Sequence, residues 1–115
     1  MSPVDDITRL NHILEAAQKA VSFTQGQNRR SLDENEILEL ALVRLLEIIG
    51  EATTGISSDF REKHPYISWH QMSSMRNRLI HGYFEVNMDI VWVTVTQELP
   101  PLIEKVKNAL AETAF

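Results

Sequence analysis

"IVWVTVT", residues 90–96, is spelled almost entirely in β-branched and aromatic residues that alternate as a strand's would. Its local preference is extended. A strand, however, must satisfy its backbone groups against a partner, and no second segment of this 115-residue chain supplies one. The stretch therefore reads as a helix imposed by context, and the chain as all-α. Asn87 stands where it can cap that helix at Met88. Pro100-Pro101 then kinks or restarts it, and "LIEKVKNALAETA" (102–114) continues helically.

The remaining segments agree with this assignment. Ser2, Pro3, Asp5 and Asp6 make a helix start, and Val4, Ile7, Leu10, Leu14, Ala17 and Val21 recur as one apolar stripe. "TQGQNRR" (24–30) breaks the period and reads as a loop. Ser31-Leu32-Asp33-Glu34 suits a capping box ahead of "ILELALVRLLEIIGEA" (37–52). Only Glu39, Arg44, Glu47 and Glu51 interrupt that helix, the last three as a narrow polar strip. It is more apolar than one buried face requires, and the chain is too short for a large core, so a homodimer with this helix near the interface is expected. "TTGISSDFREKHPY" (53–66) reads as a short helix and a Pro-punctuated turn. Ser68 to Gln71 suits another capping box, opening a helix from about Trp69 to His81 with Trp69, Met72, Met75 and Leu79 inward and Gly82 as the stop. The expected architecture is a single domain over residues 1–115, an up-and-down bundle of four to five helices.

Composition narrows the classes. No run of about 18 apolar residues exists, so no membrane span is expected. The N-terminal stretch lacks the order of a secretory signal, and there is no cysteine, so the default location is cytoplasmic, without disulfides or thiolate metal sites. The net charge of −5 argues against non-specific nucleic-acid binding. The acids crowd residues 1–60, whereas between Arg61 and His81 the only acid is Glu62, beside Arg61, Lys63, Arg76 and Arg78, with His64, His70 and His81. Such a local basic patch suits a phosphate, and equally a solvated helix face.

Within it lies "MRNRLIHGYFE" (75–85). On an ideal helix Asn77 and His81 share a face, but Arg76 and His81 stand about 140° apart and converge only if the helix end unwinds or the arginine wraps around. The chemistry coheres as RNA cleavage without a metal. That reaction needs a base for the 2′-hydroxyl, an acid for the leaving 5′-oxygen and positive charge for the phosphorane. Histidine serves as base or acid, and a guanidinium holds phosphate oxygens in a fork. A helix C-terminus would favour protonated His81. One histidine is too few for two proton transfers; a dimer would supply the second. Arg78, roughly on the face of His81, suits RNA phosphate or a surface ion pair. The same residues also suit a plain helix end with solvated arginines and a capping histidine. Elsewhere, His12 reads as a surface or interface histidine, His64 and His70 as loop residues, and Glu47 and Glu51 as partners for Arg44 or a motif arginine.

Arg76, four residues, His81, one residue and Tyr83 resembles the R-x4-H-x-Y motif of HepT-type proteins in the HEPN superfamily. "LEIIGEA" (46–52), "ISWHQMSSMRNRLIHGYF" (67–84) and "IVWVTVTQELPPL" (90–102) are similar to that family as well, so the resemblance runs from about Ile37 to Leu102. It implies a dimeric HEPN-like helical bundle acting as a metal-independent endoribonuclease, the toxin of a toxin–antitoxin pair beside a minimal nucleotidyltransferase antitoxin. Carried over by position, Arg76 and His81 would be catalytic, and Asn77 would assist or orient them. Tyr83 would accept AMP from the partner, blocking the site. No metal and no other cofactor is expected; RNA is the substrate, and a nucleotide, ATP or AMP, is a further candidate ligand. Two other classes stay open: a non-catalytic nucleotide-binding subunit of a two-component nucleotidyltransferase, and a plain helical dimerisation module.

Overall fold

A computed structural model describes residues 3–81 and 85–113, with residues 3–5, 80 and 81 as backbone only. In chain order the helices are α1 (Pro3–Thr24), α2 (Arg29–Glu34), α3 (Glu36–Thr54), α4 (Ser58–Lys63), α5 (Trp69–Ser73) and α6 (Met75–Leu79). A two-residue hairpin follows, β1 (Ile80–His81) with β2 (Glu85–Val86). Then come α7 (Met88–Val93), a π-helical turn (Thr94–Glu98) and α8 (Leu99–Thr113). The architecture is an all-α bundle: α1 packs on α3 and α8, and α3 packs in turn on α5 and α6. No helix of the described residues is long and apolar enough to cross a membrane.

The buried face of α1 runs through Leu10, Ile13, Ala16, Ala17 and Ala20. The expected stripe is thus rotated by about one residue, with Ile13 central and Leu14 and Val21 at its margin. Its first turn buries Asp6, whose carboxylate accepts from the Ser57 amide at 2.9 Å and the Ser57 hydroxyl at 2.6 Å, tying α1 to the start of α4. Two asparagines, not the Ser31–Glu34 box, divide the next segment. Asn28 caps α2 in a reciprocal pair with Ser31, and Asn35 caps α3 through the Leu38 amide. An asparagine satisfies an orphan N–H as well as a serine does, so Asn35 starts the long helix directly after α2, whose first residues, Arg29 and Arg30, belonged to the expected loop.

Helix α3 buries Leu38, Leu42, Leu46 and Ile49 and lies against α5 at Gly50, where an added Cβ would lie 3.4 Å from the Met72 carbonyl oxygen. Its far end is closed by Arg61, whose guanidinium donates to the carbonyls of Thr53 (2.6 Å) and Ile56 (3.3 Å). The Thr53 carbonyl also accepts the Ile56 amide at 3.1 Å, so Arg61 adds a charged donor to the backbone closure, and a cation there complements the helix dipole. The outward face of α3 keeps Ile37 and Leu40 exposed, at 81% and 61%.

The stretch 90–96 is helical, as expected, and Asn87 caps it through the amides of Asp89 and Ile90. Its second half is wider than an α-helix: the Leu99 amide donates to the Thr94 carbonyl, five residues back. The cause lies just ahead. Pro100 and Pro101 have no N–H to give to the carbonyls of Thr96 and Gln97, and their rings would collide with those carbonyls in a regular ladder. A π turn opens the helix at that point without ending it. Val91, Val95, Leu99, Leu102 and Val106 stay on one buried side throughout.

Candidate active site

The candidate residues sit where a helix turns into a strand. Helix α5 starts without a side-chain cap from Ser68, contrary to the expected box. It is interrupted at Ser74, whose hydroxyl bonds back to the carbonyls of His70 (2.8 Å) and Gln71 (3.2 Å). Such back-bonding competes with the helical ladder and bends it. Helix α6 resumes for five residues and stops at Leu79, two residues before the expected end. The Leu79 carbonyl accepts the Asn87 amide at 2.8 Å, and Ile80 and His81 pair in register with Val86 and Glu85. The hairpin thus takes the backbone groups that a further helical turn would have used.

This corrects the picture of His81. It lies beyond the helix, opposite Glu85, so it shares no helical face with Asn77. The helix end does unwind between Arg76 and His81, the condition their convergence required. Tyr83 lies outside the described residues, and His81 is placed by its backbone alone. Asn77 is exposed. The inward set is as expected: Trp69, Met72, Met75 and Leu79 are all buried.

The basic patch separates into individual assignments. Arg61 caps α3, as above. His64, expected in a solvated loop, is buried: its ring stacks on Phe60 at 4.1 Å, Nδ1 lies 3.0 Å from the Phe60 carbonyl oxygen and Nε2 lies 3.1 Å from Glu112. The histidine following the short helix α4 folds back over that helix, which spacing alone does not reveal. Tyr66 joins the same corner, where burial and then the charge of Glu112 raise its phenol above the ordinary tyrosine range. His70 remains exposed.

The two motif arginines part ways. They stand two residues apart on α6, so they project about 200° apart around its axis. Arg78 is only 30% exposed and makes a forked pair with Glu98, Nη1 to Oε1 at 3.2 Å and Nη2 to Oε2 at 3.0 Å. Arg76 is 61% exposed and meets Glu47 of α3 at a loose 3.6 Å. Glu51 pairs with Arg44 at 3.7 Å. Both glutamates of the polar strip therefore take the arginine partners expected of them. Of the two motif guanidiniums, Arg76 is the one whose donors are available to an incoming phosphate, and it borders the outward face of α3. Sequence reasoning missed Glu98: nothing in its local spacing points twenty residues back to Arg78, and the signal lay in the prolines that widen its turn. Among the described residues, no group of three His, Asp or Glu side chains is arranged to hold a metal ion.

Fold and site together define a small all-α domain with an arginine and a histidine flanking a helix-to-hairpin junction. A family model for ribonuclease HepT-like proteins matches residues 13–109, and the chain belongs to that family. A protein of Caldanaerobacter subterraneus subsp. tengcongensis named "Putative RNase" is 40% identical over 88% of this chain and 90% of its own. A "Putative RNase" of Methanocaldococcus jannaschii is 37% identical over 93% and 98% of the two chains. A "Probable ribonuclease HepT" of Thermococcus cleftensis is 39% identical over 81% and 84%. No solved structure matches the chain significantly.

Proposed function

We propose that this protein is a metal-independent endoribonuclease, working as a homodimer and serving as the toxin of a pair whose antitoxin is a minimal nucleotidyltransferase. The single observation that carries the reading is the exposed, loosely held guanidinium of Arg76, five positions before His81, in a chain of the ribonuclease HepT-like family. One imidazole removes the 2′-hydroxyl proton and a second, from the other protomer, protonates the departing 5′-oxygen. The paired Arg76 side chains neutralise the phosphorane between them, and Asn77 orients the substrate or its neighbours. In the antitoxin reaction the Tyr83 oxygen displaces pyrophosphate from ATP and takes AMP. The phenol proton passes to a base of the transferase, and the added anion blocks the groove.

Dimerisation is supported by the outward face of α3, where Ile37 and Leu40 stand exposed on the helix that carries Glu47, the partner of Arg76. Two adjacent, well exposed aliphatic side chains on a regular helix suit burial against a second copy. Leu40→Glu is expected to give a monomer by light scattering, with its helical content kept and most RNase activity gone. A dimer of unchanged mass and activity would place the interface elsewhere. For the antitoxin step, co-expression with a cognate nucleotidyltransferase should add AMP to Tyr83, read by mass spectrometry; a tyrosine left unmodified while toxicity is suppressed removes that part.

A further inference from the structure

We infer that Glu98 is a positioning residue for the Arg76–His81 segment, and that Arg78 serves the site through this carboxylate and not by touching RNA. The inference rests on the function proposed above and concerns how its two catalytic groups are held.

The observation is the saturation of one carboxylate. Glu98 Oε1 accepts from Arg78 Nη1 and from the Gln71 amide, and Oε2 accepts from Arg78 Nη2 and, at 3.5 Å, from the Thr94 hydroxyl. An ionised carboxylate offers about four acceptor positions, and here the protein occupies all of them. A group so engaged is poorly placed to act as a base or to hold a ligand. Its donors come from α5, α6 and the π turn, so it locks three elements at one point.

That point lies between the catalytic candidates in sequence: Arg78 is two residues after Arg76 and three before His81. Helix α6 is only five residues long and gives way directly to the hairpin. Besides its buried Met75 and Leu79 and the short hairpin pairing, the junction is tied by the fork to Glu98 on one side and by the Asn87 amide on the Leu79 carbonyl. Loss of the fork lets α6 rotate or fray and moves Arg76 and His81 relative to each other. A displacement of about 1 Å at a catalytic group can cost about 10²-fold in rate. The π turn then has a task in the site: it is the turn from which Glu98 reaches α6.

The test uses the full-length protein and a short RNA oligonucleotide. Glu98→Gln and Arg78→Gln are each expected to lower kcat by about 10- to 100-fold while KM stays within about threefold. The charge-exchanged double variant, Arg78→Glu with Glu98→Arg, should recover part of that loss. Direct contact of Arg78 with RNA predicts the opposite: Arg78→Gln raises KM with kcat kept, Glu98→Gln tightens binding by freeing the arginine, and the exchange rescues nothing. Either that pattern or an unchanged kcat in Glu98→Gln overturns the assignment. A readout independent of turnover separates this inference from the proposed function. By amide hydrogen exchange, Glu98→Gln should lose at least about tenfold of the protection at Asn87, with the amides of α3 as an internal control for folding. Unchanged protection at Asn87 sinks the clamp even if the protein cleaves RNA. Reduced protection in Glu98→Gln, beside a wild-type protein that cleaves no RNA, keeps the clamp and removes the ribonuclease reading.

Discussion

Replacing His81 by alanine is expected to lower kcat/KM for RNA cleavage by about 10²- to 10⁴-fold, the range for losing one positioned acid or base. Arg76→Ala should lower it by about 10²- to 10³-fold, as expected for one removed stabiliser of transition-state charge. These losses should appear without unfolding. Arg76 is largely exposed, and its contact with Glu47 at 3.6 Å is the kind of surface pair worth only about 0–1 kcal/mol. Arg76→Lys separates charge from shape. It keeps the cation but loses the fork, so it should fall between wild type and alanine. Thermal melts run beside the kinetics check the premise; unchanged cleavage by both alanine variants would refute the catalytic assignment.

The largest effect on stability is expected at Trp69. Its ring is buried, meets Phe60 edge-on at 6.1 Å and lies 6.0 Å from the Arg61 guanidinium, and its Nε1 donates to the His64 carbonyl at 2.9 Å. Trp69→Ala removes the packing and the shorter of that carbonyl's two hydrogen bonds, the Ile67 amide remaining at 3.3 Å, at a cost of about 3–5 kcal/mol. For a domain whose whole stability is about 5–15 kcal/mol, this brings it close to unfolding. Trp69→Phe keeps most of the apolar contact and should lose little more than the hydrogen bond, about 1 kcal/mol plus a small cavity. Urea denaturation measures both. Because Trp69 opens α5, activity of the alanine variant should return on cooling below its lowered midpoint, which a catalytic defect would not do. A midpoint within experimental error of wild type would show that the corner around His64 carries no such load.

The helical nature of the chain was legible because period and length outweigh local propensity. "IVWVTVT" prefers to be extended, yet it is helical because its apolar residues must join a core already built by α1 and α3. The buried face of Trp69, Met72, Met75 and Leu79 followed from spacing in the same way; for Glu47 and Glu51 the sequence offered Arg44 or a motif arginine, and the fold chose between them. What stayed illegible depended on competition between partners distant in sequence. Asn28 and Asn35 displaced the serine box because either residue type can cap, and only the path of the chain selects between them. The stop at Leu79 was set by the Asn87 amide, not by Gly82. His64 looked like a loop residue, but Phe60, four residues before it, and Glu112, near the far end of the chain, draw it inward. Arg78 could be read as an RNA contact or a surface ion pair, and only Glu98, reaching it from the π turn, assigned its fork to the protein.

The central claim is that two imidazoles and their guanidinium neighbours cleave RNA through its own 2′-hydroxyl. It is tested most directly by the ends of the products. Wild-type protein incubated with RNA in excess EDTA should yield fragments ending in 2′,3′-cyclic phosphate and beginning with 5′-hydroxyl, and a substrate with a single 2′-deoxy at the cleavage site should resist. Fragments carrying 3′-hydroxyl and 5′-phosphate, or cleavage of the deoxy-substituted bond, would contradict the account.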